Sequence, residues 1–211
     1  MKIIFMGLLS IFIIQGFANA QMKDFGVDGL KGLTEEHKKK LSNGDIIIIT
    51  TTDNNQKSES RSALIEAAVV FNNKPQKAWE LISKTEEQPK YIKECKEIKV
   101  VSKTSNQASE VHTVGALFFR VTYGVIQNYD PDHLYMHWIL DKNYPKNGLE
   151  SLYGYWQLYP YDKDKTIARY GSNVALKNVP EFLENMFKKS GVKNALIAVK
   201  KYIDSNGVYR K

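Results

Sequence analysis

The sequence predicts an α+β fold: a curved antiparallel sheet wrapped around a long C-terminal helix, with two short helices after the first main strand. Two observations carry the prediction. From Lys96 to Leu176 the chain reads as strand after strand, broken at Thr104-Ser105-Asn106, Asp130-Pro131-Asp132, Asn143 to Gly148 and Asp162-Lys163-Asp164-Lys165, and consecutive strands joined by short connections run antiparallel. Pro180 then opens a last element in which Leu183, Met186 and Phe187, and later Ala195, Leu196, Val199 and Ile203, recur at helical spacing. One apolar side of a long helix needs a surface to cover, and a curved sheet supplies it.

Taken in order, Lys2, the apolar run Ile3 to Ile14 and the small residues Ala18-Asn19-Ala20 follow the pattern of a secretory signal cut between Ala20 and Gln21. The run is about a dozen residues, where a spanning helix needs roughly 20. No cysteine follows it to take a lipid anchor, so a free mature protein is expected. Residues 21–44 form a polar, glycine-containing lead-in with one short helix, capped by Thr34 and stopped at Asn43-Gly44. Asp45 to Thr52 is β-branched almost throughout and predicts a strand, followed by a loop at Asn54 to Ser60. In the next strand, Arg61 to Phe71, Glu66 marks a wet face, while Ile65, Ala67, Val69 and Phe71 share the other. Asn72-Asn73-Lys74-Pro75 turns the chain into a helix whose apolar side is Ala78, Trp79, Leu81 and Ile82. Trp79 is read there as a packing residue. A second short helix is expected around Thr85 to Ile92, and Ser190-Gly191 interrupts the periodicity of the last helix, predicting a bend.

The domain plan is thus a signal over 1–20, a lead-in over 21–44 and one ligand-binding domain over 45–211. A chain of this length supports one core that buries roughly 70% of the surface of its unfolded form. Cys95 is the only cysteine, which excludes an internal disulfide and marks it as a small core residue. The formal charge of +7 suits an anionic partner, and transient contact with an anionic membrane surface is expected. The basic clusters His37 to Lys40, Lys188-Lys189 and Lys200-Lys201 are read as solvated faces, and the export signal argues against nucleic acid.

Several stretches resemble the START-like superfamily, the helix-grip, polyketide cyclase and lipid-transport (SRPBCC) fold, over Asp45 to Asp204. Val69 to Ser83, with Pro75 and Trp79, is similar to the first strand and helix of that family; Pro89 and Tyr91 resemble its second helix. Asp130-Pro131-Asp132 with Trp138, then Gly154 to Pro160, Ala168-Arg169-Tyr170 and Val179-Pro180 follow its order. The resemblance implies a cavity between sheet and helix that takes a lipid, sterol, quinone or polyketide-like molecule. No cofactor is expected. A minority of the family are enzymes.

Strand alternation assigns the cavity-facing side chains. They are Leu117, Phe119, Val121, Tyr123 and Val125 on one strand; Leu134, Met136, Trp138 and Leu140 on the next; Leu152, Gly154, Trp156 and Leu158; then Tyr170, Ser172 and Val174. Met186, Phe187, Leu196 and Val199 close the chamber from the helix. The ligand-binding set is therefore Phe119, Tyr123, Met136, Trp138, Trp156, Tyr170, Met186, Phe187, Leu196 and Val199. Such large apolar and amphipathic groups on facing surfaces are typical of small-molecule pockets.

No metal site or catalytic residue is predicted. His37, His112, His133 and His137 show no ligand spacing, Ser151 is outside any nucleophile elbow, and Gly26, Gly29 and Gly32 lack the preceding strand of a phosphate loop. His133 and His137 are assigned to the surface or the rim. Arg120, Glu150 and Arg169, the nearest polar candidates, fall on the solvent parity. The expected function is an exported carrier of an apolar molecule, placed in the periplasm with full secretion as the other location; the alternatives are a cyclase- or hydrolase-type enzyme using the same cavity and a chaperone-like, partner-binding module.

Overall fold

The computed structural model describes residues 22–51, 64–116, 118–176 and 191–211. The expected signal, the Asn54 to Ser60 loop, Leu117, and the stretch with Lys188-Lys189, Pro180, Leu183, Met186 and Phe187 lie outside the described residues. The described elements are α1 (Glu35–Ser42), β1 (Ile47–Thr51), β2 (Leu64–Phe71), α2 (Pro75–Ile82), a 3₁₀ turn (Thr85–Glu87), α3 (Gln88–Tyr91), β3 (Cys95–Lys103), β4 (Gln107–Ala116), β5 (Phe119–Asp130), β6 (Tyr135–Leu140), β7 (Leu149–Asp162), β8 (Lys165–Leu176) and α4 (Val192–Asp204).

The strands form a single curved antiparallel sheet in the order β1-β2-β8-β7-β6-β5-β4-β3. From β3 to β8 this is the expected meander. β2 then adds to β8, with Ala67 opposite Tyr170 and Val69 opposite Ala168. Local signals account for the helices: the Thr34 side chain accepts the His37 N–H at 3.2 Å, and Pro75 occupies the first turn of α2. α4 starts just after Gly191, and its Leu196, Val199, Tyr202 and Ile203 join Val69, Phe71, Trp79 and Met136 in the main core. Tyr202 stacks on Tyr91 of α3 at 4.0 Å. Polar contacts pin the far end of α4: Lys200 donates to the Val70 carbonyl at 2.5 Å and to Asp204 at 2.8 Å, and the Asn72 N–H donates to Asp204 at 2.7 Å. Lys200 is therefore half-buried and bonded, where the sequence predicted a water-facing residue.

The convex face of the central strands departs from expectation. Glu66 is 7% exposed and Arg169 only 2%, although both lie on the parity assigned to solvent. The parity is correct, but the lead-in covers that face. Phe25 is buried against Tyr155, and the Arg169 guanidinium lies 3.9 Å from its ring centre. Arg169 also donates to the carbonyls of Gly29 at 3.0 Å and Lys31 at 3.1 Å. Glu66 accepts from Tyr155 and from Lys23, each at 2.6 Å. Buried charges persist only when paired or hydrogen-bonded, and here the lead-in and Tyr155 of β7 provide the partners.

Candidate functional site

Between the concave face and α4 lies a cavity of about 250 Å³. β5 contributes Tyr123, Val125 and Gln127, β6 contributes Met136 and Trp138, and β7 contributes Leu149, Leu152 and Trp156. Tyr170, Ser172, Val174 and Leu176 come from β8, and Val192, Ala195, Leu196 and Val199 from α4. Seven of the ten side chains predicted to bind ligand thus line it: Tyr123, Met136, Trp138, Trp156, Tyr170, Leu196 and Val199. Met186 and Phe187 fall outside the described residues.

Phe119 requires a correction. It shares the parity of Tyr123 and Val125, but it stands at the start of β5, is 45% exposed and does not line the cavity. Alternation assigns the face of a strand and not how far along it a chamber extends. Leu158 and Leu134 likewise belong to the packed core and not to the cavity wall. The space left by Gly154 is occupied by Trp138: a Cβ at position 154 would clash with its indole. This close approach lets the ring lie against β7, with Tyr170 at 6.1 Å from Trp138 and 4.8 Å from Trp156.

One end of the wall is polar, and sequence reasoning missed it. Thr85, Gln88, Glu94, Cys95, His112 and Gln127 border the cavity. Behind them Glu110 is 1% exposed. The Thr85 hydroxyl donates to its Oε1 at 2.5 Å, and its Oε2 meets His112 Nε2 at 2.7 Å. Burial pushes the Glu110 pKa up, but the His112 and Thr85 hydrogen bonds more than offset this and hold it below the ordinary 4.5. The His112 ring also packs on Tyr123 at 5.6 Å between centres. Burial raises the phenol pKa values of Tyr123 and Tyr170, so both stay protonated at neutral pH. Cys95 is buried and free, its thiol pushed up to about 12 by desolvation. His133 is exposed and bonded to Asp130, away from the cavity, and no group of side chains among the described residues could hold a metal ion.

A cavity between a wrapped sheet and a C-terminal helix defines the helix-grip class. The chain belongs to the polyketide cyclase / dehydrase and lipid transport family, whose model matches residues 72–196. Among solved structures it is similar to a STAR-related lipid transfer protein from Xanthomonas axonopodis, with a TM-score of 0.60, 11% identity, and coverage of 75% of this chain and 93% of that one. It is also similar to the Zhui aromatase/cyclase from a Streptomyces species, with a TM-score of 0.59, 12% identity, and coverage of 68% and 94%. A START superfamily protein from Mycobacterium smegmatis aligns with a TM-score of 0.55, 12% identity, and coverage of 67% and 97%. At these identities the likeness is one of fold. No curated protein matches the chain.

Proposed function

We propose that this protein is an exported carrier that binds an apolar small molecule between its sheet and α4 and releases it unchanged. The observation that carries the reading is the cavity of about 250 Å³, walled by Met136, Trp138, Trp156, Leu196 and Val199. Burial is the driving force, at about 0.8 kcal/mol per ligand methylene withdrawn from water. The volume lies just under the roughly 300 Å³ where ligand pockets begin. It suits a body of two or three rings or a medium acyl segment. Export to the periplasm rests on the first twenty residues. Contact with an anionic membrane rests on the formal charge of +7 and on the β4–β5 turn, where Phe118 is 98% exposed beside the exposed Arg120.

Native mass spectrometry of the protein from its own export compartment, followed by solvent extraction, tests the reading. An adduct that extracts as a lipid- or quinone-sized molecule supports it. A clean apo mass with no uptake of apolar probes overturns it.

The second reading, an enzyme acting within the same cavity, is favoured by one observation: His112 at the cavity wall is hydrogen-bonded to the buried Glu110 behind it. A bound acid–base pair is what proton transfer on a ligand requires. Recovery of a chemically altered molecule after incubation would favour the enzyme over the carrier.

A further inference from the structure

We propose that Thr85, Glu110 and His112 form a recognition site for a ligand hydroxyl, so that the molecule carried is an apolar body bearing an alcohol or phenol at one end. The inference rests on the reading of the cavity as an apolar-ligand site and narrows its ligand class.

The three residues come from two separate parts of the chain. Thr85 opens the 3₁₀ turn, whereas Glu110 and His112, two apart on β4, share one strand face. Both carboxylate oxygens of Glu110 are engaged, one by the Thr85 hydroxyl and one by His112 Nε2. That arrangement orients the imidazole through a buried partner, as a histidine positioned for use is oriented. Nε2 is committed to Glu110. The other ring nitrogen, Nδ1, has no hydrogen-bond partner among the described residues, and the ring borders the cavity.

What Nδ1 offers depends on the proton count of the ring. A neutral imidazole that donates from Nε2 presents a lone pair there, and an imidazolium presents an N–H. A hydroxyl satisfies both, because it donates and accepts. A carbonyl or an ether satisfies only the second, and a hydrocarbon satisfies neither. Much of the rest of the wall is apolar, with Val114, Val125, Leu149 and Leu152 among its side chains. The site therefore reads an oxygen function at one end of a largely apolar molecule.

Calorimetric titration with 2-naphthol and naphthalene, which differ only in the hydroxyl, tests this on the mature protein and on His112→Phe. The expected result is roughly tenfold tighter binding of 2-naphthol to the unaltered protein, with the ratio of the two affinities falling to about one in His112→Phe. Equal affinities in the unaltered protein overturn the inference and leave the carrier reading standing, as does a preference that survives in His112→Phe. Binding of neither probe overturns both. If His112→Phe fails to fold, the ¹⁵N resonances of the His112 ring in the unaltered protein decide: a shift of Nδ1 with 2-naphthol and none with naphthalene supports the site, and the same response to both removes it.

Discussion

Glu110 is a carboxylate with almost no contact with water, kept ionised by two donors. Its folded-state pKa is depressed below 4.5, so its contribution to stability is complete above that value and is lost as pH falls through the depressed one. Glu110→Gln is expected to destabilise the protein by about 1–3 kcal/mol at pH 7. The difference from wild type should shrink as the pH drops below 4.5. Urea unfolding of both proteins at pH 7 and pH 3 checks this, and a gap that widens at pH 3 contradicts it. Cys95 makes a second residue-scale prediction. With its thiol buried and pushed up to about 12, it should resist a disulfide reagent at pH 8 in the native state and react once unfolded; rapid native labelling would count against its burial. The missed polar site has a simple cause. Gln107 to Ala116 carries polar groups on both parities, so no apolar face singles out the side on which Glu110 and His112 lie. Their partner Thr85 comes from 25 residues earlier.

The elements themselves were readable wherever their signals are local. The Thr34 cap, the Pro75 start of α2 and the short connections of the meander depend on neighbouring residues and appear as expected. The covering of the sheet's convex face is a long-range event. Nothing in the lead-in sequence announces that Phe25 will lie under Arg169, 3.9 Å from its guanidinium, or that Gly29 and Lys31 will offer it their carbonyls. Strand parity alone therefore predicts a solvent-facing Arg169, where the fold bonds it to backbone carbonyls. If the lead-in is part of the folded domain, Phe25→Ala should cost about 3 kcal/mol of stability. A double-mutant cycle with Arg169→Met should then return a coupling of about 1–2 kcal/mol in chemical denaturation. A coupling indistinguishable from zero would mean that the strap is passive.

For the whole molecule, cavity and surface make separate predictions. Leu196→Trp, at a position 2% exposed on α4, should fill the chamber and abolish naphthalene uptake at a cost of about 1–3 kcal/mol in stability. Retained uptake by a folded variant would place binding elsewhere. Phe118→Ser should weaken flotation with vesicles containing phosphatidylglycerol and leave naphthalene affinity unchanged; unchanged flotation removes the β4–β5 turn from membrane contact. The placement of the aromatic residues has one more consequence. Of the protein's three tryptophans, Trp138 and Trp156 line the cavity, and Trp79 is packed in the core. Tyr170 sits 4.8 Å from Trp156, well placed to pass excitation to it. The intrinsic emission of this protein is thus dominated by indoles that a guest would touch, so occupancy should announce itself as a change in colour and intensity with no label attached.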